Sequence, residues 1–213
     1  MNLIIDVGNT NGKIAVFNHN KIIEVATIKT SNTINRINIF TQKYNSINRA
    51  IISNVSTSDN QEIKKNLSLE DIYFLSENLK LPFNNLYKSK ETLGSDRIAL
   101  ASAVIKNYPN SNVLVIDAGT CITMDFIDKN GNYHGGSISP GIDMRYSSLS
   151  NYTSNLPKLE KTYPSNIIGS STEESIHSGI VNGVVFEIRE SISEYQRKYK
   201  DIKVILAGGD SVF

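Results

Sequence analysis

The sequence has no tryptophan and only one cysteine, Cys121. A single cysteine excludes an internal disulfide framework and favours a reducing, cytosolic location. No apolar run approaches the roughly 20 residues that a membrane-spanning helix requires, so we expect no transmembrane segment. The N-terminus reaches Asp6 directly after Leu3-Ile4-Ile5, which is too short an apolar stretch for the core of a signal peptide.

An excess of charge of either sign is lacking too. The 22 basic residues are balanced by 21 acidic ones, for a net charge of +1. No basic cluster or aromatic-interleaved stripe is present, so nucleic acid is not an expected partner. The histidines His19, His134 and His177 share no metal-ligand spacing and have no cysteine partners, so a zinc site is not expected either. With 213 residues the chain can form one large domain or two halves of about 100 residues.

A repeated segment is the main organisational feature. The segments LIIDVGNT at 3–10 and VLVIDAGT at 113–120 are short apolar runs that end in a carboxylate and a glycine turn, and alternating apolar residues follow each one. This pattern is typical of a strand, a tight turn and a second strand. Asp6 and Asp117 are separated by 117 − 6 = 111 residues, about half the chain. The spacing predicts two copies of one supersecondary unit.

The two copies define an N-terminal lobe, residues 1–107, and a C-terminal lobe, residues 108–213. Further strands are predicted at 49–54, 72–75 and 202–207, and helices at 34–44, 60–67, 95–106, 141–150 and from a Ser171-x-x-Glu174 capping box to about residue 199. This order predicts an α/β architecture with a cleft between the halves. The last helix carries an apolar stripe that is wide enough to pack on both a sheet and another subunit. It is formed by Ile180, Val181, Val184, Val185 and Ile188.

The two Asp-x-Gly turns suit phosphate binding. A strand that ends in this way presents a carboxylate, and glycine lets the backbone amides of the turn approach a phosphate closely. Phosphoryl transfer needs positioning and charge neutralisation, which Asp6 with Mg²⁺, Thr10, Lys13 and the second turn at 119–120 can supply. One such turn alone is usually an ordinary connection between strands. The duplication and the Gly-Gly turn at 208–209 favour phosphate binding.

Other candidate residues have a structural as well as a functional interpretation. On sequence grounds alone, Asp96 is favoured as the first-turn acid of a helix and Arg97 as a surface residue. Tyr87 fits a packed strand aromatic and a substrate contact equally well. Cys121 has no neighbouring histidine that could activate it, so a small buried residue is favoured over a nucleophile.

Five motifs occur in a fixed order along the chain. They are DVGNT at 6–10, GSDR at 94–97, DAGT at 117–120, GGSISPG at 135–141 and GGD at 208–210. A chain with these motifs in this order resembles the type III pantothenate kinases over almost its whole length. The resemblance implies duplicated ribonuclease H-like domains of the actin-like ATPase class, the fold of acetate and sugar kinases and of Hsp70. It also implies transfer of the γ-phosphate of ATP to the terminal hydroxyl of pantothenate, the first step of coenzyme A biosynthesis.

Specific roles follow from the resemblance, position by position. It implies that ATP is bound by Asp6, Val7, Gly8, Asn9, Thr10, Asn11, Gly12, Lys13 and Thr120. It implies that pantothenate is bound by Tyr87, Gly94, Ser95, Asp96, Arg97 and Thr172. Asp96 would be the general base that accepts the hydroxyl proton, and Asp117 would bind a monovalent cation, potassium or ammonium, while Mg²⁺ accompanies ATP. Members of the family are homodimers that build part of the pantothenate pocket from both chains, so a homodimer is implied here.

The sequence departs from the family pattern at three places. Lys90 stands where a proline is common, and Ala207 replaces a threonine before the GGD motif. The sequence ends at Phe213, whereas the family usually continues through a further helix and strand. We therefore expect the second lobe to be short at its C-terminus and ATP binding to be weakened if nothing else fills the gap.

Two other functions share these features. A regulatory protein of the Bvg accessory factor type has the same fold and loops. A different actin-like kinase, acting on a sugar, acetate or polyphosphate, would have the same phosphate turns. A kinase is favoured over the regulatory protein by four intact residues, Asp6, Asp96, Arg97 and Asp117. The GSDR motif together with Tyr87 and Thr172 favours pantothenate as the acceptor.

Overall fold

A computed structural model describes residues 1–213 as two units. The first unit contains residues 1–82 and 88–102, and the second contains residues 83–87 and 103–213. Each unit is built on a five-stranded mixed sheet. No helix of the chain combines the length and the apolar character needed to cross a bilayer.

The first unit contains five strands and three helices. The strands are β1 (Asn2–Val7), β2 (Asn11–Asn18), β3 (Lys21–Lys29), β4 (Arg49–Asn54) and β5 (Asp71–Phe74). The helices are α1 (Thr33–Lys43), α2 (Asn60–Lys65) and the first part of α3 (Ser95–Asn107). The strand order is β3-β2-β1-β4-β5, in which β1 is antiparallel to β2 and parallel to β4.

The core of the first unit follows from two sequence periods. On β1, Leu3, Ile5 and Val7 are buried and alternate with less buried residues, because successive side chains of a strand point to opposite faces of the sheet. On α1, Ile37 and Phe40 recur at helical spacing and are fully buried. These side chains form one cluster, which anchors β1 and thereby holds the turn that follows it at the edge of the sheet.

The second unit has the strand order β10-β7-β8-β9-β6. Its strands are β6 (Asn84–Asn85), β7 (Val113–Ala118), β8 (Cys121–Ile127), β9 (Asn132–Pro140) and β10 (Lys203–Ala207). Its helices are α4 (Ile142–Tyr152), α5 (Thr172–His177) and α6 (Gly183–Lys198). The predicted repeat is confirmed, since the order β9-β8-β7-β10 reproduces the order β3-β2-β1-β4.

The core of the second unit lies between β7 and the α5–α6 region. Residues 113–116 of β7 are all buried, and Leu114 and Ile116 cluster with Ile180, Val181 and Val184. The predicted apolar stripe therefore packs on the sheet, as expected. Its second predicted role, as a contact to another subunit, stays a prediction.

The helix predicted from Ser171 to about residue 199 is confirmed in its extent, since residues 172–198 are helical throughout. Its geometry changes along its length, because a π-helical segment, Ser178–Asn182, lies between α5 and α6. The Ser178 hydroxyl donates to the Ile167 carbonyl at 2.5 Å and accepts from the Asn182 amide at 3.0 Å. Side chains that bond locally in this way compete with regular helix geometry, and hydrophobic periodicity does not report them.

Candidate functional site

The first glycine turn connects β1 to β2. The Gly8 backbone N–H donates to the Asn11 carbonyl at 3.0 Å and closes the turn, which leaves Asn9 and Thr10 exposed. Asp6 is half-buried on β1 and lies opposite Lys13 of β2 in the antiparallel register. The turn therefore presents two polar side chains to solvent, directly beyond a strand that carries a carboxylate.

Thr30, which no sequence motif indicated, braces this turn. Its hydroxyl donates to the Gly8 carbonyl at 2.8 Å, and its backbone N–H donates to the Thr10 carbonyl at 3.2 Å. Gly12 of β2 is buried as well, and a Cβ there would lie only 3.3 Å from the Asp6 carbonyl oxygen. Thr30 directly follows β3, so it reaches the turn only through the pairing of β2 with β3.

The GSDR motif forms the start of α3. Ser95 is buried, with its hydroxyl 3.1 Å from the Ser53 hydroxyl and accepting the Asn54 N–H at 3.1 Å. The half-buried Asp96 accepts the backbone N–H of Arg97 through Oδ1 at 2.8 Å. This places its carboxylate at the positive end of the helix dipole. Arg97 is only 5% exposed, so its interpretation as a surface residue was wrong.

The first turn and the start of α3 lie at the same edge of the first unit's sheet. Asp6 is opposite Ser53 in the parallel register of β1 and β4, and Ser53 contacts Ser95, the neighbour of Asp96. A Cβ on Gly94 would lie 2.4 Å from Asp96 Oδ1, so the carboxylate folds back over that glycine. The carboxyl ends of parallel strands are where ligands bind in α/β folds, and here they bring the predicted phosphate turn and the predicted base together.

The second glycine turn connects β7 to β8 and is one residue shorter. The Gly119 N–H donates to the Cys121 carbonyl at 3.0 Å. Asp117 is half-buried at the end of β7, and Thr120 is exposed at the turn. The arrangement repeats that of the first turn, with a strand carboxylate followed by a glycine and an exposed threonine.

Two motif glycines pack directly on the second turn. The Gly141 N–H donates to the Thr120 carbonyl at 3.0 Å, and a Cβ on Gly141 would lie 2.0 Å from the Gly119 carbonyl oxygen. Gly208 has φ +95°, and a Cβ there would lie 2.1 Å from the Ala118 carbonyl oxygen. Only a residue without a side chain fits at either position, so the GGSISPG and GGD motifs serve as backbone walls for the second turn.

Lys161 ties the GGD motif to the start of α4, which the sequence did not suggest. Its Nζ lies 2.5 Å from Asp210 Oδ1 and 3.3 Å from Asp143 Oδ2. Burial acts to lower the pKa of Lys161, but the hydrogen bond that Lys161 donates to Asp210 and the charges of both carboxylates raise it on balance. The ammonium form of the lysine is therefore favoured beside the GGD turn.

A mostly apolar cavity of about 450 Å³ opens beside the second turn. One wall contains Ala118, Leu206 and Asp210, and the other contains Val184 and Ile188 of α6. Apolar cavities with a few polar groups are the usual form of small-molecule sites, and the base of a nucleotide has suitable chemistry for this one.

Tyr87 belongs to the second unit, next to the first glycine of the GGSISPG motif. A Cβ on Gly135 would lie 2.7 Å from Tyr87 Cδ2, so the ring lies against the Gly135 backbone. The Tyr87 ring centroid is 6.2 Å from that of Tyr133. The fully buried Tyr133 hydroxyl donates to the fully buried Asp125 carboxylate at 2.6 Å. The half-buried Tyr87 ring is therefore held in place by the Gly135 backbone and by the Tyr133 ring.

Thr172 is the first residue of α5 and is exposed. The predicted cap is confirmed in part, since the Ser171 hydroxyl accepts the Glu174 N–H at 3.2 Å. The Glu174 carboxylate accepts the Ser170 N–H at 2.8 Å, whereas a capping box would have it accept the Ser171 N–H. Because Ser171 supplies the cap, the Thr172 hydroxyl is not needed for it, and Thr172 lines an open groove of about 860 Å³.

Solved structures with similar folds include phosphotransferases. A protein from Campylobacter jejuni assigned to the Baf family of transcriptional activators is 23% identical with a TM-score of 0.62, covering 98% of this chain and 83% of that one. A protein from Listeria monocytogenes assigned as an N-acetylmannosamine kinase is 12% identical with a TM-score of 0.54, covering 99% of this chain and 84% of that one. The predicted fold class, duplicated ribonuclease H-like units of the actin-like class, is confirmed.

Similarity in sequence is more specific than similarity in fold. The family described as type III pantothenate kinase matches residues 2–194. A type III pantothenate kinase from Christiangramia forsetii is 42% identical over 214 residues, which cover 99% of this chain and 87% of the relative. On the match along residues 2–194 and this level of identity, the chain belongs to the type III pantothenate kinase family.

Proposed function

We propose that this chain transfers the γ-phosphoryl group of ATP to the terminal hydroxyl of pantothenate, giving 4'-phosphopantothenate for coenzyme A biosynthesis. The family supports this activity. The observation that carries it at the level of residues is the shared edge of the first unit's sheet, where the Asp96 carboxylate and the first glycine turn lie together.

ATP is assigned to the first turn, residues 6–13, and to Thr120 of the second. Phosphoryl transfer depends mainly on positioning and on neutralising charge. The exposed Asn9 and Thr10 can donate to phosphate oxygens, and Lys13 supplies a cation across from Asp6. Mg²⁺ is usually held by one or two carboxylates together with substrate phosphates, and Asp6 at the end of β1 fits that role.

Pantothenate is assigned to the GSDR motif, Tyr87 and Thr172. Asp96 accepts the proton of the substrate hydroxyl. The hydroxyl oxygen bonds to the γ-phosphorus, and the bond between the γ-phosphorus and the oxygen that leaves with ADP breaks. The buried guanidinium of Arg97 offers a planar pair of donors that suits the pantothenate carboxylate. The Ser95 hydroxyl is already bonded to the end of β4, so its contribution is to fix the helix start that carries Asp96.

A monovalent cation, potassium or ammonium, is assigned to Asp117. Asp117 is half-buried near the end of β7, and its carboxylate fits a cation that prefers oxygen ligands. When bound, the cation would neutralise phosphate charge next to Thr120. The backbone of Asp117 is held on both sides, since it pairs with Thr123 of β8 and with Ala207 of β10.

ADP release tests the function and the cation together. With ATP, Mg²⁺ and pantothenate, turnover is expected in potassium or ammonium chloride. It is expected to be about tenfold lower in sodium chloride of equal ionic strength, which corresponds to a loss of about 1.4 kcal/mol of transition-state stabilisation. Asp117→Asn is expected to weaken this preference. Equal rates in potassium and sodium would contradict the assignment of a potassium or ammonium ion to Asp117.

The same assay tests the acceptor. Phosphorylation of acetate or a sugar with no use of pantothenate would contradict pantothenate as the acceptor. A folded but inactive protein would favour the regulatory alternative.

We also propose a homodimer formed through the second unit. Exposed apolar side chains there include Ile138, Met144 and Phe186, and a Cβ on Gly179 or Gly183 would meet nothing within 4 Å. Exposed apolar surface of this kind often marks an interface.

Phe186→Glu tests this interface. Light scattering is expected to show a 23.6 kDa monomer for this variant, whereas Ile23→Glu on the first unit should leave the mass of the dimer unchanged. If the wild type is a monomer by light scattering at the protein concentrations used in the kinase assay, the proposed dimer is excluded.

The division into lobes at 1–107 and 108–213 and a cytoplasmic location stay predictions. Each predicted lobe contains one such glycine turn, and the strand before that turn carries Asp6 in the first lobe and Asp117 in the second. The duplication accounts for two phosphate turns in one chain. The partners of the two turns differ, however: Thr30 contacts the first turn, and Gly141 and Gly208 contact the second.

A further inference from the structure

An ion pair links three elements of the second unit. Arg145 of α4 lies with Nη2 2.5 Å from Glu187 Oε2 of α6. The other carboxylate oxygen of Glu187 accepts the Ser139 hydroxyl at the end of β9. Arg145 Nε also donates to the Pro140 carbonyl at 2.8 Å. We call Ser139, Pro140, Arg145 and Glu187 the α4–α6 clamp.

The clamp is more constrained than a surface ion pair. The Arg145 and Glu187 side chains are 23% and 32% exposed, compared with 61% for Arg197 in the pairs on the same helix. Burial acts to raise the pKa of Glu187, but the bonds from Ser139 and Arg145 lower it on balance. The carboxylate is therefore charged and uses both oxygens, which gives the pair a fixed direction as well as attraction.

The clamp ends one residue before a contact with the second glycine turn. Pro140 pairs with Cys121 in the β8–β9 register and precedes Gly141, whose N–H donates to the Thr120 carbonyl. Gly141 has no side chain to anchor it, so its place depends on Pro140 before it and α4 after it. Arg145 contacts this segment twice. Its side-chain Nε donates to the Pro140 carbonyl, and its backbone N–H donates to the Gly141 carbonyl at 3.1 Å.

We propose that Arg145 and Glu187 are positioning residues that hold the second glycine turn in the geometry that binds ATP. This inference rests on the assignment of Thr120 to ATP. Loss of the clamp removes the side-chain bond to the Pro140 carbonyl and loosens the backbone behind Thr120, so ATP affinity falls while the chemistry at Asp96 is unchanged. A purely structural role would instead lower the amount of folded enzyme and leave the KM for ATP as it was.

Arg145→Met tests the clamp, and Arg197→Met is the matched control. Arg197 pairs with Glu190 and Glu194 on the same helix and has no contact with the clamp. Arg145→Met is expected to raise both the Kd for ATP by calorimetry and the KM for ATP by about tenfold, with kcat within about twofold. Arg145→Lys should lie between, because lysine reaches Glu187 but cannot also donate from an Nε to Pro140. Arg197→Met should match the wild type.

Glu187→Gln separates the clamp from the groove that contains Thr172, which Arg145 also lines. A rise in the KM for ATP in both Glu187→Gln and Arg145→Met supports the clamp. A rise in the KM for pantothenate in Arg145→Met alone would assign Arg145 to the groove and overturn the proposal. An ATP affinity within twofold of wild type in folded Arg145→Met would overturn it as well.

Two further outcomes remain decisive. If Arg145→Met does not fold, Arg145→Lys and Glu187→Gln carry the same calorimetric test, and unchanged ATP affinity in both overturns the proposal. If the wild type binds ATP but does not phosphorylate pantothenate, the proposed function fails. The clamp is then still judged on ATP affinity, because calorimetry requires no turnover.

Discussion

Asp96→Asn is expected to lower kcat by about a hundredfold or more and to leave ATP affinity within about twofold. The amide has the shape of the carboxylate and can still accept the Arg97 N–H, which Asp96 Oδ1 now does at 2.8 Å. The start of α3 is therefore preserved. An amide cannot accept the hydroxyl proton of the substrate, so the loss falls on the chemical step. Steady-state kinetics and calorimetry with ATP measure the two effects separately.

Asp59→Asn is the matched control for this substitution. Asp59 caps α2 in the same unit, and its Oδ1 accepts the Gln61 N–H at 2.8 Å. Both changes remove one negative charge from a helix start, which costs about 0.3–1 kcal/mol of stability. Only Asp96→Asn should lose turnover. Similar kcat values for both variants and the wild type would remove Asp96 from the role of base.

The fold was largely predictable because its signals are local. The two glycine turns follow apolar strands whose alternation is visible in the sequence, and the helices at 33–43 and 95–107 differ from their predicted bounds by one residue at most. The two-residue strand Asn84–Asn85 was not predicted, since its pairing with β9 is set by residues 48 positions away. The π-helical segment was missed because side-chain bonds, and not hydrophobic periodicity, accompany it.

The candidate site was predictable in its motifs but not in its supports. The turns were visible because each combines a carboxylate and a glycine after an apolar strand, whereas the role of Asp96 followed only from the resemblance to the family. Thr30, Lys161 and the α4–α6 clamp were missed, because each acts through a partner 22 or more residues away. The burial of Arg97 was also not visible, since charge at a helix start usually means exposure.

Gly208→Ala is expected to lower the stability of the protein strongly. Gly208 has φ +95°, which an alanine rarely adopts, and the new Cβ would lie 2.1 Å from the Ala118 carbonyl oxygen. Backbone strain and overpacking together should lower the free energy of unfolding by about 2–4 kcal/mol. For a chain of this length the Tm should fall by about 5–10 °C. Because Ala118 leads into the second turn, ATP affinity should fall by about tenfold or more as well.

Gly209→Ala is the control, because it changes the neighbouring residue of the same motif in the same way. A Cβ on Gly209 would meet nothing within 4 Å, so its Tm should stay within about 1 °C of wild type. Equal stability of the two variants would contradict the packing of Gly208 on Ala118. If Gly208→Ala is destabilised but binds ATP normally, the contact stabilises the second unit without shaping the turn. The packing of the GGD motif on the second turn would then have no part in ATP binding.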